Sequence, residues 1–213
     1  MNQPNPYFSL INDTLNYFLT WNTSTNNNRY QEENAIDFGN YLATPYIINE
    51  ILQVYHSNYY EGKILNSRAT SPEYSSAEGW MGRPLTLGRV MFKTISTPNR
   101  YVGGPFVDFE IQVAGGSDWQ ASANNDHHLR ITFGSQIVHE IFDGYELVKI
   151  NRSFSPTELK ASNNIIRFKS IDDLNVGVDR TELAYMKIRY PQSLSLSNSN
   201  YYEFWARIAQ AMT

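Results

Sequence analysis

Apolar and polar residues alternate most cleanly across residues 105–114. There Val107, Phe109, Ile111 and Val113 lie opposite Phe106, Asp108, Glu110 and Gln112. Successive side chains on a strand point to opposite faces, so this run predicts a strand with four inward positions. Residues 128–133 predict a second strand, with Leu129, Ile131 and Phe133 inward. Gly134-Ser135 then leads into residues 137–142, and a two-residue link between such runs is a hairpin signal. Asp143-Gly144 turns the chain again into residues 145–150. Residues 164–168 and 180–190 are the last strong strand runs, and Pro191 is expected to stop the final one. A weaker run at 87–95 places Val90, Phe92 and Thr94 on one face. Ser155-Pro156-Thr157-Glu158-Leu159 reads as one helical turn, with a serine cap, proline at the first position and an early acid.

The N-terminal third is less regular. Residues 7–11 and 17–21 read as a hairpin, 23–28 as a polar loop, and 29–38 as ambiguous. Residues 46–55 favour strand by their β-branched and aromatic content, although Ile47, Ile51 and Tyr55 also fit helical spacing. Residues 58–80 show no period and read as loop, while 206–213 read as a terminal helix. Strand runs every eight to twelve residues, with turns between them, predict an all-β fold. Sandwich and barrel both fit that spacing, with an N-terminal β extension. Residues 1–83 would be the extension, 84–191 the sandwich, and 192–213 the start of a next segment or a truncated tail. The expected core is Val107, Phe109, Ile111, Val113, Leu129, Ile131, Phe133, Ile166, Phe168, Leu183, Tyr185 and Ile188. Ile188 is out of phase with Tyr185, so a bulge near Met186-Lys187 is needed if both are buried.

Composition narrows the function. The 213 residues include no cysteine. Disulfides, thiolate metal sites and a cysteine nucleophile in this chain are therefore excluded. The net charge of −4 offers no basic face for phosphate neutralisation, which argues against nucleic acid as a partner. An aromatic content of 14% is too high for a disordered chain. No run of apolar residues is long enough to span a membrane, and the first residues lack the basic start and apolar stretch of a signal peptide.

Several residues invite chemistry. Asp172, Asp173 and Asp179 flank one loop, and loop carboxylates can hold calcium, a hard ion that takes several oxygen ligands. The competing reading makes them turn formers and solvated charges. Calcium is the one cofactor these residues suggest. Trp119, Tyr101 and Trp80 fall in loop-like stretches, where exposed rings can stack on sugars or, equally, anchor the loops. His127 and His128 point to opposite faces of a strand and do not readily share one ion. His139 shares a face with Ile137 and Ile141 and reads as structural. Asp179-Arg180 reads as an internal ion pair pinning a loop. Asn12, Asn22 and Asn151 fit the glycosylation acceptor pattern, which an asparagine-rich chain produces by chance. No Gly-x-Ser-x-Gly elbow or His-Glu-x-x-His motif occurs.

The order of features between residues 84 and 191 resembles a known family. It runs from Val107-Asp108-Phe109-Glu110-Ile111-Gln112-Val113-Ala114-Gly115, through His128-Leu129-Arg130-Ile131 and Phe142-Asp143-Gly144-Tyr145. It closes on Asp179-Arg180, Ala184-Tyr185 and Tyr190-Pro191. Earlier, Leu15-Asn16-Tyr17-Phe18-Leu19-Thr20-Trp21-Asn22 and residues 71–80 add to it. The chain is similar to the β-sandwich region upstream of the peptidase domain in gingipain-like family C25 proteins of Bacteroidetes, which include type IX secretion system sortases of the PorU kind. That resemblance implies an antiparallel jelly-roll-like β-sandwich of the galactose-binding or carbohydrate-module kind, acting as a non-catalytic module whose full-length parent is a C25-type cysteine peptidase. It implies contact with the peptidase domain of the same protein or with a secreted partner. It also implies a place in the periplasm, at the outer membrane or on the cell surface. The family's Cys–His dyad has no counterpart here, since the chain has no cysteine. The alternative is a carbohydrate-binding module using the loop aromatics, with or without calcium, and glycan as partner.

Overall fold

The computed structural model describes residues 3–9, 44–66, 69–119 and 125–195, with the single residues 18, 20, 23 and 39. Thirteen strands and one 3-10 turn make up the regular structure among them. The chain is an all-β antiparallel sandwich, as the alternation predicts. No described helix is long and apolar enough to cross a membrane.

The strands with clean alternation form the two facing sheets. β8 (Val107–Gly115) pairs with β11 (Leu147–Phe154) on one side and with β13 (Arg180–Ser193) on the other. β1 (Tyr46–Val54) completes that sheet beyond β13, and the two-residue β6 (Leu85–Thr86) joins the start of β13. The second sheet has the order β10 (Gln136–Phe142), β9 (His127–Phe133), β12 (Asn164–Ser170), β7 (Val90–Ile95). The Gly134-Ser135 hairpin forms as expected, with Gly134 at φ 56°, in the left-handed region that glycine adopts without strain. The 3-10 turn Pro156–Glu158 carries the Ser155 cap, which accepts from the Thr157 backbone N–H.

Inward residues of both sheets meet in one core. Phe109 packs on Phe133 at 5.3 Å between ring centres, and Phe133 on Phe154 at 5.1 Å. A residual cavity of about 10 Å³ lies among these rings, Ile111, Ile131 and Ile150, so the packing is close to complete. Eleven of the twelve expected core residues belong to this cluster, the exception being Tyr185.

Tyr185 is fully buried in a second cluster, with Ala77, Met81, Ala114 and Ala184. The register of β13 against β8 shifts between Leu183 and Tyr185, not near Met186-Lys187. Leu183 faces the main core before the shift, and Met186, Ile188 and Tyr190 face it after. Tyr185 is thereby turned to the outer face. That face is covered too. Asn5 donates through Nδ2 to the Tyr55 carbonyl at 3.2 Å, Gln112 donates to the Pro4 carbonyl, and Tyr7 stands edge-on to Tyr185.

Val90, Phe92 and Thr94 share one face of β7 as expected; it is the exposed one, and Met91, Lys93 and Ile95 turn inward. Three further expectations need correction. Residues 58–80 are not all loop: β2 (Asn58–Glu61) pairs with β5 (Glu78–Met81), and β3 (Ile64–Asn66) with β4 (Ala69–Thr70). These strands have two to four residues, too few to show a period. Tyr7 lies in a turn, and most of the expected N-terminal hairpin falls outside the described residues, as does the terminal helix. Pro191 does not stop β13, which continues to Ser193. Its carbonyl accepts from the Tyr101 N–H at 2.8 Å, so its missing N–H faces residues 99–101 and costs β1 no ladder bond.

Candidate functional site

At one end of the sandwich the start of β9, the start of β13 and the turn before β11 converge on His127, which is fully buried. Its Nδ1 lies 2.7 Å from Asp179 Oδ1. Its Nε2 faces the Gly144 carbonyl at 2.9 Å, the Ser117 carbonyl at 3.1 Å and Asp126 Oδ1 at 3.2 Å. Every one of these partners is an acceptor, so both ring nitrogens must donate and the ring is an imidazolium. Burial alone would push its pKa down. The Asp179 hydrogen bond and the Asp126 and Asp179 charges outweigh burial and hold it above the usual histidine value. Asp126 also accepts from the Trp119 and Gly144 N–H groups, and Asp179 from the Ser170 hydroxyl. The network ties four loops and strand ends together.

Beside it lies a cleft of about 170 Å³ between the β2–β5 ribbon and the ends of β8 and β13. Glu182 of β13 lines it. Glu182 is 1% exposed, and apart from its own backbone N–H no described residue hydrogen-bonds its carboxylate. Gly116 passes so close that a Cβ there would sit on the carboxylate. The absence of that Cβ is what lets the loop cross the acid. Burial pushes the Glu182 pKa up to about 8, against the pull of His127 and Arg180 and with a further push from Asp179. Tyr59, Tyr60 and Tyr145 stand around the cleft, with Glu61 and Arg180. Two tyrosine hydroxyls donate, Tyr59 to Glu78 at 2.8 Å and Tyr60 to the Gly82 carbonyl at 2.7 Å, while Tyr145 accepts from the Ile64 N–H.

The residues singled out from sequence are dispersed. Asp179 is held by His127, not by Arg180, whose side chain is exposed; the expected Asp179-Arg180 pair does not form. Asp173 accepts from His128 Nδ1 at 2.8 Å, and Asp172 is exposed. Among the described residues no group of three or more His, Cys, Asp or Glu is arranged to hold a metal ion. His128 and His139 contact each other through Nε2 and Nδ1 at 2.8 Å, on the outer side of β9 and β10. Trp80 meets Tyr59 and Phe8 edge-on, Trp119 packs against Gly177, and Tyr101 stacks on Tyr46. The three rings have different neighbours and build no common platform.

Glu182, Gly116, Tyr60 and Tyr145 escaped the sequence reading. Glu182 sits between inward Thr181 and Leu183, where alternation sends it to solvent. The one available signal was Glu182 directly ahead of the apolar run Leu183-Ala184-Tyr185-Met186, which is too weak to single it out.

Fold and cleft together define an antiparallel β-sandwich with an acid-floored cleft at one edge. No family model and no curated protein matches the chain. Among solved structures, the CBM36-1 domain of a multidomain xylanase from the hindgut metagenome of Trinervitermes trinervoides is similar at 16% identity and a TM-score of 0.35. That likeness covers 66% of this chain and 96% of that one. The coat protein of tobacco streak virus is similar at 9% identity and a TM-score of 0.32, covering 73% of this chain and 95% of that one.

Proposed function

We propose that the chain is a non-catalytic binding module that takes its ligand at the cleft over Glu182. The observation that carries this reading is a buried carboxyl group that no other described residue hydrogen-bonds. Buried polar groups in native folds are hydrogen-bonded, and an exception at a cleft calls for a group from outside. The cleft contributes rings and a buried carboxyl, which is binding equipment. Its test is an array of glycans and peptides probed with the full chain. Binding that Tyr145→Ala weakens at least about tenfold supports the reading. No binding on either array, or binding indifferent to Tyr145→Ala, overturns it.

A finer reading follows from the sequence resemblance. The module would belong to a gingipain-like, type IX secretion-associated cysteine peptidase, and the bound group would be presented by the peptidase domain or a secreted partner. The parent would act in the periplasm, at the outer membrane or on the cell surface. The support is the order of motifs from Val107 to Pro191. The reading of the gene beyond Thr213 tests it: a Cys–His peptidase domain is expected there, and an open reading frame without one overturns it. A glycan ligand is the alternative, resting on the cleft tyrosines now that the loop tryptophans are seen apart.

A further inference from the structure

We infer that the ligand group entering the Glu182 cleft is an organic cation, the ammonium of a lysine side chain or the guanidinium of an arginine side chain on a partner protein. This inference rests on the binding-module reading above. Three features of the cleft select the class. Its buried carboxyl is bonded by no other described residue, and once it gives up its proton it only accepts hydrogen bonds and pairs with a cationic donor. Its walls include three tyrosine rings, whose faces attract cations. Two of the three hydroxyls that could have read a sugar donate to Glu78 and to the Gly82 carbonyl, and the third, Tyr145, accepts from the Ile64 N–H. A polyol needs several convergent donors and acceptors, and a cation needs one acceptor and aromatic surface.

Charge around the carboxyl is mixed. Arg180 lies two residues before it on the same strand, His127 faces it from β9 as an imidazolium, and Asp179 opposes both. Glu61 adds a second acid from β2, and Tyr60 and Tyr145 stay neutral. Arg180 is exposed, so water screens its repulsion of an incoming cation. Burial keeps Glu182 protonated at neutral pH. A cation can pair only with the ionised form, so its arrival expels the proton to solvent: the ligand stays charged, the carboxyl becomes carboxylate, and one proton leaves. A sugar would bond to the neutral acid and expel none.

The probes are Nα-acetyl-lysine methylamide and Nα-acetyl-arginine methylamide, titrated calorimetrically into the full chain in buffers of different ionisation enthalpy. At pH 6.5 binding is expected to release close to one proton. Affinity should rise by up to about tenfold per pH unit until Glu182 is ionised, then level off. The preferred probe tells lysine from arginine. Glu182→Gln should weaken binding at least about tenfold and abolish proton release. Arg180→Ala alters an exposed side chain and so leaves the fold intact; it should tighten binding severalfold. Saturable binding without proton release, tighter binding by Glu182→Gln, or weaker binding by Arg180→Ala overturns the inference. So does proton release caused by calcium chloride and by neither amide. If glycan-array binding sensitive to Tyr145→Ala persists in any of these cases, the binding-module reading stands and the cation assignment alone falls.

Discussion

Two side chains set the pH response of this fold. Glu182 has its pKa raised by burial from 4.5 to about 8, and His127 is raised by its aspartates. In both cases the folded state holds its proton more tightly than the unfolded chain. The Glu182 contribution is complete below 4.5 and is lost as pH climbs towards 8. The His127 contribution is complete below 6.5 and lost as pH rises through its folded value. Urea midpoints of the ligand-free chain should therefore fall between pH 5 and pH 8. Glu182→Gln, which cannot ionise, should flatten most of that fall, roughly 3–5 kcal/mol. An unchanged slope would show that Glu182 is ionised inside the fold. His127→Gln removes the one cation facing Asp126 and Asp179. It should destabilise by about 3–5 kcal/mol, read as a lower urea midpoint at pH 6, because two buried carboxylates lose their counter-charge.

At the scale of elements, β8 is the strand that reads most plainly and matters most to packing. Its inward residues Val107, Phe109, Ile111 and Val113 all reach the main core, because β8 lies between two long strands and β11 keeps one register along it. Phe109→Ala should cost about 3–5 kcal/mol in urea denaturation, since it empties the contact with Phe133 in a core with little free volume. β13 shows the limit of the same logic. Thr181 through Met186 are all buried, so alternation there carries no inside or outside. The shift between Leu183 and Tyr185 then reassigns faces. β2 to β5 show another limit: pairs this short are held by their partners and not by a pattern of their own.

Over the whole molecule, residues 3–9 decide whether the outer face of the β1-β13-β8 sheet is wet or dry. Asn5 is the clasp, donating to the Tyr55 and Ala184 carbonyls and accepting from the Tyr7 N–H. Asn5→Ala should lower stability by about 1–2 kcal/mol and speed amide hydrogen exchange at Tyr55, leaving the main core protected. Exchange unchanged at Tyr55 would mean that the segment packs without that clasp.

The sequence by itself determined the all-β class, the hairpin at Gly134-Ser135, the capped turn at Ser155 and eleven residues of the main core. Each follows from neighbours within a few positions, where alternation and turn chemistry act. Only the tertiary structure decided the rest. It set Asp179 against His127 across 52 positions, folded residues 58–81 into a ribbon over the sandwich end, and closed Glu182 beneath Gly116. A glutamate in a strand reads as solvent-facing because charge is costly to bury. It becomes a buried acid at a cleft only when a second layer covers that face, and the covering layer comes from segments far away in the chain.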